Sequence, residues 1–180
     1  MGAWNKLYCR ALWSGLRFPE GRVYEDVYPT CEVLDACESV CVIDQTLYVH
    51  RRRPRSITTT CTPGNYRDWS LAHPHFESFV ESRVPEVFTE GHVMQLRQSR
   101  VVEMISNYIR ISEELGKDED GFCEGLRRKT IMAGEEVGVD GLDLRTRTAC
   151  HMLCACPWLL KSIYPAYHSV RRFVRNVTGR

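Results

Sequence analysis

Between His92 and Leu115 apolar side chains return at three- and four-residue steps: Met94, Val101, Ile105, Tyr108 and Leu115, with Val102 and Ile109 beside them. That rhythm is the period of an α-helix that buries one face. Gly116 stands where a left-handed residue closes such a helix. A rod about 35 Å long must lie against other elements to hide its stripe, so the chain is expected to build a helical core around it. Phe76, Phe79 and Val80 predict a short helix that begins near His73-Pro74 and closes before Pro85. Further helices are expected from Phe122 to Ala133 and over residues 143–156, 158–164 and 166–177, punctuated by Pro157 and Pro165. At the other end, Ala3, Trp4, Leu7, Tyr8, Ala11 and Leu12 predict a short amphipathic helix over residues 3–13, with connecting chain from Gly21 to Thr30. The four tryptophans, Trp4, Trp13, Trp69 and Trp158, are expected as core anchors.

One stretch has a different rhythm. Val40-Cys41-Val42-Ile43 and Leu47-Tyr48-Val49-His50 are β-rich runs around the polar break Asp44-Gln45-Thr46, which reads as a hairpin. Residues 57–61 read as a third strand ended by Pro63-Gly64. The expected fold class is therefore α+β, predominantly α-helical: a helical core with a small N-terminal β-hairpin element. Residues 1–68 would hold the N-terminal helix and the β element. Residues 69–180 would form a helical region ending in a basic C-terminal helix, in one compact domain with the former. A chain of 180 residues with 43% hydrophobic content is long and apolar enough for that.

Charge is distributed unevenly. Leu144 to Arg180 contains no Asp or Glu and carries seven of the 24 Lys and Arg residues; the other 17 sit among all 23 carboxylates. The balance is +7 in the tail and −6 before it, hidden in a total of +1. A segment of one sign repels itself and seeks a polyanion, an anionic membrane or an acidic partner surface. Twenty of the cations are Arg and four are Lys, and arginine forks bind phosphate bidentately and stack on bases. The last predicted helix sets Val170, Phe173, Val174 and Val177 on one side and Arg171, Arg172 and Arg175 on the others, with Arg145 and Arg147 able to extend the same field. Trp158, Tyr164, Tyr167 and Phe173 lie near these cations as stacking partners for unpaired bases. Arg51, Arg52 and Arg53 form a candidate second phosphate contact. The structural alternative is a terminal helix whose arginines face water or the acidic residues of the 113–143 stretch.

Nine cysteines are many for a chain whose first 20 residues, broken by Lys6, Arg10 and Arg17, show no secretory signal. The expected location is cytoplasmic or nuclear rather than secreted, with reduced thiols and no transmembrane segment. Cys150, His151, Cys154 and Cys156 are the densest group of soft ligands, and a helix would put Cys150 and Cys154 one turn apart, as a structural zinc site requires. No second C-x₂-C pair completes such a site, and the alternative is thiols buried as small hydrophobes. No other cofactor is expected: there is no phosphate-cradling glycine loop and no carboxylate pair spaced for acid–base work.

Gly121-Phe122-Cys123 followed by His151 or His168 is the chain order of a Cys–His nucleophilic pair. It loosely resembles the viral papain-like leader proteases, and the resemblance implies a Cys123 nucleophile. The likeness departs at Glu124, where those enzymes place an aromatic residue and where a carboxylate works against a thiolate. The expectation is accordingly a non-enzymatic binding protein that engages RNA or another polyanion through its Arg-rich C-terminal segment. Arg bias, abundant cysteine and short length resemble small virus-encoded accessory proteins, including suppressors of RNA silencing. The alternative is a module that binds a host or partner protein, with structural or zinc-bound cysteines. Oligomeric state is left open.

Overall fold

The computed structural model describes residues 2–51, 56–57, 61–118, 120–138 and 141–163; every regular element among them is helical, with no strand. The chain divides into two compact units, Met1–Val93 and Met94–Arg180.

The first unit holds α1, Val27–Asp35, and α2, Pro63–Glu81, after a 3₁₀ turn at Arg10–Trp13. Pro63-Gly64, expected to end a strand, instead open α2. Thr62 is extended and its Oγ1 accepts the Asn65 N–H at 3.1 Å, while Pro63 occupies the first helical position, where its missing N–H costs nothing. The helix thus starts well before His73 and runs through Pro74. That proline leaves the Ser70 carbonyl without its usual partner, and burial of Tyr66, Trp69, Ala72 and Val80 offsets the loss. Helix α1 lies along α2, burying Pro29, Thr30, Cys31 and Val33, with the Tyr28 and His75 rings 4.8 Å apart. Arg83, just past α2, donates through Nε to Asp35 at the end of α1 at 2.8 Å and holds that carboxyl below its ordinary range. The Val23 N–H reaches the Asp68 carboxylate at 3.0 Å, and the Ala3 N–H reaches Asp26 at 3.1 Å.

Three further expectations fail in this unit. Connecting chain was expected from Gly21 to Thr30, but α1 already begins at Val27. Residues 3–9 are not helical: Asn5 takes a left-handed φ of 64°, which breaks a helix at its first turn. Instead the Trp13 ring packs 5.2 Å from both Tyr8 and Phe18. The β-hairpin is absent too, so the described fold is helical rather than α+β. Val40–Ile43 and Leu47–His50 make no ladder, and their side chains stand in water, Val42 at 87% and Val49 at 85% exposure. Alternation creates a strand only when one face has something to cover it, and a lone two-stranded ribbon is marginal. Of the expected third strand, residues 58–60 lie outside the described residues.

The second unit is built on α3, Glu90–Leu115, α4, Phe122–Val137, and α5, Leu144–Ala155, followed by a helical stretch over residues 157–163. The division between units falls in the first turn of α3. Along α3 the buried side chains are Val93, Val101, Met104, Ile105, Tyr108, Ile109, Ile111 and Ser112, a stripe of the expected period. Met94, Val102 and Leu115, expected inside, lie beside it and are exposed. Helix α4 buries Cys123, Leu126, Thr130, Ala133, Gly134 and Val137, and the Thr130 hydroxyl is satisfied by donating to the Leu126 carbonyl at 2.8 Å. Helix α5 packs on α4 where Gly134 lets the Cys150 thiol come close. Gln98 on α3 donates to the Gly141 carbonyl in the turn between α4 and α5.

Candidate nucleic-acid interface

Arg171, Arg172 and Arg175 lie outside the described residues, as do Arg52 and Arg53; Arg51 is described and exposed. What the structure does place is the charge of the second unit up to residue 163. The structural alternative requires carboxylates of the 113–143 stretch to neutralise it. Glu124 is already held by Arg127, at 2.7 and 2.8 Å, and by Arg128 at 3.0 Å, and these two guanidinium groups hold its carboxyl down to about 2. Glu136 pairs with Arg100 at 2.8 Å. Asp118 caps α4: Gly121 at the helix start is left-handed and has no side chain, so Asp118 accepts the Cys123 and Glu124 N–H groups at 2.8 and 3.0 Å. Asp143 caps α5, accepting from the Arg145 and Thr146 N–H groups at 2.9 and 3.1 Å and from the Thr146 hydroxyl at 2.7 Å, which lowers its carboxyl. These four carboxylates are committed to partners within α3, α4 and α5.

Cations of the unit divide in the same way. Arg147, expected to extend the basic field, turns inward and donates to the Leu142 carbonyl at 3.3 Å. Arg127 also donates to the Leu153 carbonyl at 2.9 Å, tying α4 to α5. Lys161 sits 5.2 Å from the centre of the Tyr108 ring. Arg145 is exposed. Trp158 corrects the expectation of four core tryptophans: it is 68% exposed, at the last described helical stretch and just ahead of the tail. Trp4 is exposed as well, whereas Trp69 is buried. No pattern in the sequence distinguishes an exposed indole such as Trp158 from a buried one.

The cysteine group is spread over different surroundings. Cys150 is half-buried against Gly134, and burial pushes its thiol up to about 11. His151 and Cys154 are exposed and Cys156 is half-buried. Among the described residues, no three His, Cys, Asp or Glu side chains are grouped to hold a metal ion. Cys123, the nucleophile implied by the leader-protease resemblance, is buried; burial and then Asp118 push its thiol up, the opposite of what a thiolate needs. His151 is on α5 and His168 lies outside the described residues.

No family model, no curated protein and no solved structure matches the chain. Among the described residues, no helix is long and apolar enough to cross a membrane.

Proposed function

We propose that the chain is a non-enzymatic binding protein whose Arg-rich C-terminal segment engages RNA. The carrying observation is the seven cations and no carboxylate from Leu144 to Arg180, next to a helical unit whose acidic residues Asp118, Glu124, Glu136 and Asp143 are already engaged. Four of the ten carboxylates of residues 113–143 are thereby held by partners within the unit. Arg171, Arg172 and Arg175 contact phosphates in this reading, releasing counterions, and exposed Trp158 offers a ring for an unpaired base.

The test is RNA binding across a salt series, for the wild type and for Arg171→Glu/Arg172→Glu/Arg175→Glu. Wild-type affinity falls steeply with salt, and the triple change flattens the log–log slope by about two, at roughly 0.7 per phosphate contact on a single strand. No RNA binding by the wild type at low salt overturns the reading and assigns the tail to a protein partner.

A further inference from the structure

The start of α3 is closed by a histidine. Thr89, the residue before Glu90, and His92 bond each other reciprocally. The Thr89 hydroxyl oxygen accepts the His92 N–H at 3.3 Å, and the His92 Nδ1 accepts the Thr89 N–H at 3.1 Å. The same Nδ1 lies 3.1 Å from the Thr89 hydroxyl. A Ser or Thr ahead of the first turn, paired in this way with the third residue of the helix, is a capping box, and Glu or Gln ordinarily fills that third place. Here an imidazole fills it, with the Phe88 ring edge-on to it at 6.0 Å.

The substitution matters because a carboxylate or an amide keeps its acceptor through the neutral range, whereas an imidazole does not. A ring nitrogen that accepts an N–H carries no proton, so in this cap the ring is neutral, with its hydrogen on Nε2. Protonation reverses the contact. Nδ1–H can still turn to the hydroxyl oxygen, but the Thr89 N–H then meets a proton instead of a lone pair. The new charge also stands in the first turn, at the positive end of the helix dipole. Of the carboxylates near by, Glu90 is in the same turn, and Glu86, on the stretch before, acts on Arg83. The turn between α4 and α5 reaches α3 further along, at Gln98, and its described carboxylate, Asp143, is taken by the cap of α5. Among the described residues, no carboxylate pairs with the ring.

We propose that His92 is a proton-operated latch on the first turn of α3: neutral, it closes residues 90–93, and protonated, it releases them. Val93 is the first buried side chain of the helix, at 5% exposure, so release carries an apolar group into water in mild acid and not at neutral pH. No residue of the tail takes part, so the latch and the RNA reading fail separately.

Amide NMR of the full chain tests it from about pH 7.5 to about 5.5, where an ordinary imidazole takes up its proton. In the wild type, solvent exchange at Thr89, His92 and Val93, relative to unstructured peptide, rises about fivefold as the His92 ring titrates. The Cα shifts of residues 90–93 move toward coil with the same midpoint, while those of residues 101–112 stay helical. His92→Gln keeps a neutral acceptor and holds the turn closed at both ends of the range. His92→Ala has no acceptor and leaves it open at both. Far-UV circular dichroism identifies a variant that has unfolded; His92→Glu, with the carboxylate of an ordinary capping box, then replaces His92→Gln. Exchange at Thr89 and Val93 that ignores the ring titration, the same pH response in His92→Gln as in the wild type, a turn still closed at neutral pH in His92→Ala, or loss of residues 101–112 together with the first turn would each overturn the proposal.

Discussion

Gly134 and Cys150 show how a single pair of small side chains sets the approach of two helices. A glycine inside a helix costs about 1 kcal/mol relative to alanine, yet a Cβ on Gly134 would lie 3.2 Å from the Cys150 sulfur, tighter than ordinary contact. Gly134→Ala therefore loses its propensity gain to crowding in the wild type, and recovers about 1 kcal/mol once Cys150→Ala clears the space. Urea unfolding of the four proteins in that cycle measures the coupling, and equal gains in both backgrounds would show that the helices do not meet there. Asp143 works through its hydrogen bonds instead. Its folded-state carboxyl is lowered, first by the Thr146 hydroxyl and then by the Thr146 N–H. The stability it contributes is thus full above the unfolded carboxylate value of about 3.9 and is lost as pH falls through the lower folded value. Asp143→Ala is expected to cost about 1 kcal/mol near neutral pH. Melting curves from neutral to strongly acidic solution should show the gap to wild type closing below about pH 4.

Among the helices, α5 ties the second unit together with few buried side chains, Thr146 and the fully buried Leu153 being the principal ones. Leu153→Ala is expected to cost about 2–5 kcal/mol, whereas Leu144→Ala, on an exposed side chain of the same helix, stays within about 0.5 kcal/mol. Thermal or chemical unfolding separates the two, and similar costs would mean that α5 is not packed by Leu153. These elements were not equally legible in the sequence. Helices α3 and α4 were, because their apolar side chains keep the helical period and glycines close them. Helix α2 was not, because Pro63-Gly64-Asn65 has the composition of a turn; only Thr62 capping Asn65 and Pro63 in the first position reveal a start. The hairpin misled for a different reason. β-branched residues on either side of Asp44-Gln45-Thr46 satisfy local preference, but whether they pair depends on a covering face elsewhere in the chain, which local pattern does not encode. The cation-rich tail was legible as composition alone. What the sequence could not disclose is that Arg147 turns inward, that Trp158 is exposed, or that Glu124, Glu136, Asp118 and Asp143 are already occupied, since each depends on which helices meet.

At the scale of the whole molecule the governing property is electrostatic polarity, −6 up to and including Asp143 and +7 from Leu144 onward. Two physical pictures give opposite expectations for reversing Arg171, Arg172 and Arg175 to Glu. If these cations neutralise the helical unit's carboxylates, reversal places like charges together and lowers stability. If they face outward, reversal leaves the fold alone and changes only how the chain meets charged partners. The engagement of Glu124 by Arg127 and Arg128, and of Glu136 by Arg100, takes two of the ten carboxylates of residues 113–143 out of the first picture, and the RNA reading adopts the second. The triple variant is thus expected to melt within about 2 °C of the wild type, the shift that roughly 0.5 kcal/mol produces in a chain of this size. Its formal net charge moves from +1 to −5 as three cations become three anions, so retention on a heparin column should fall sharply. A melting temperature lowered well beyond that margin, with heparin retention unchanged, would place these guanidinium groups inside the charge balance of the fold and remove the basis of the RNA reading.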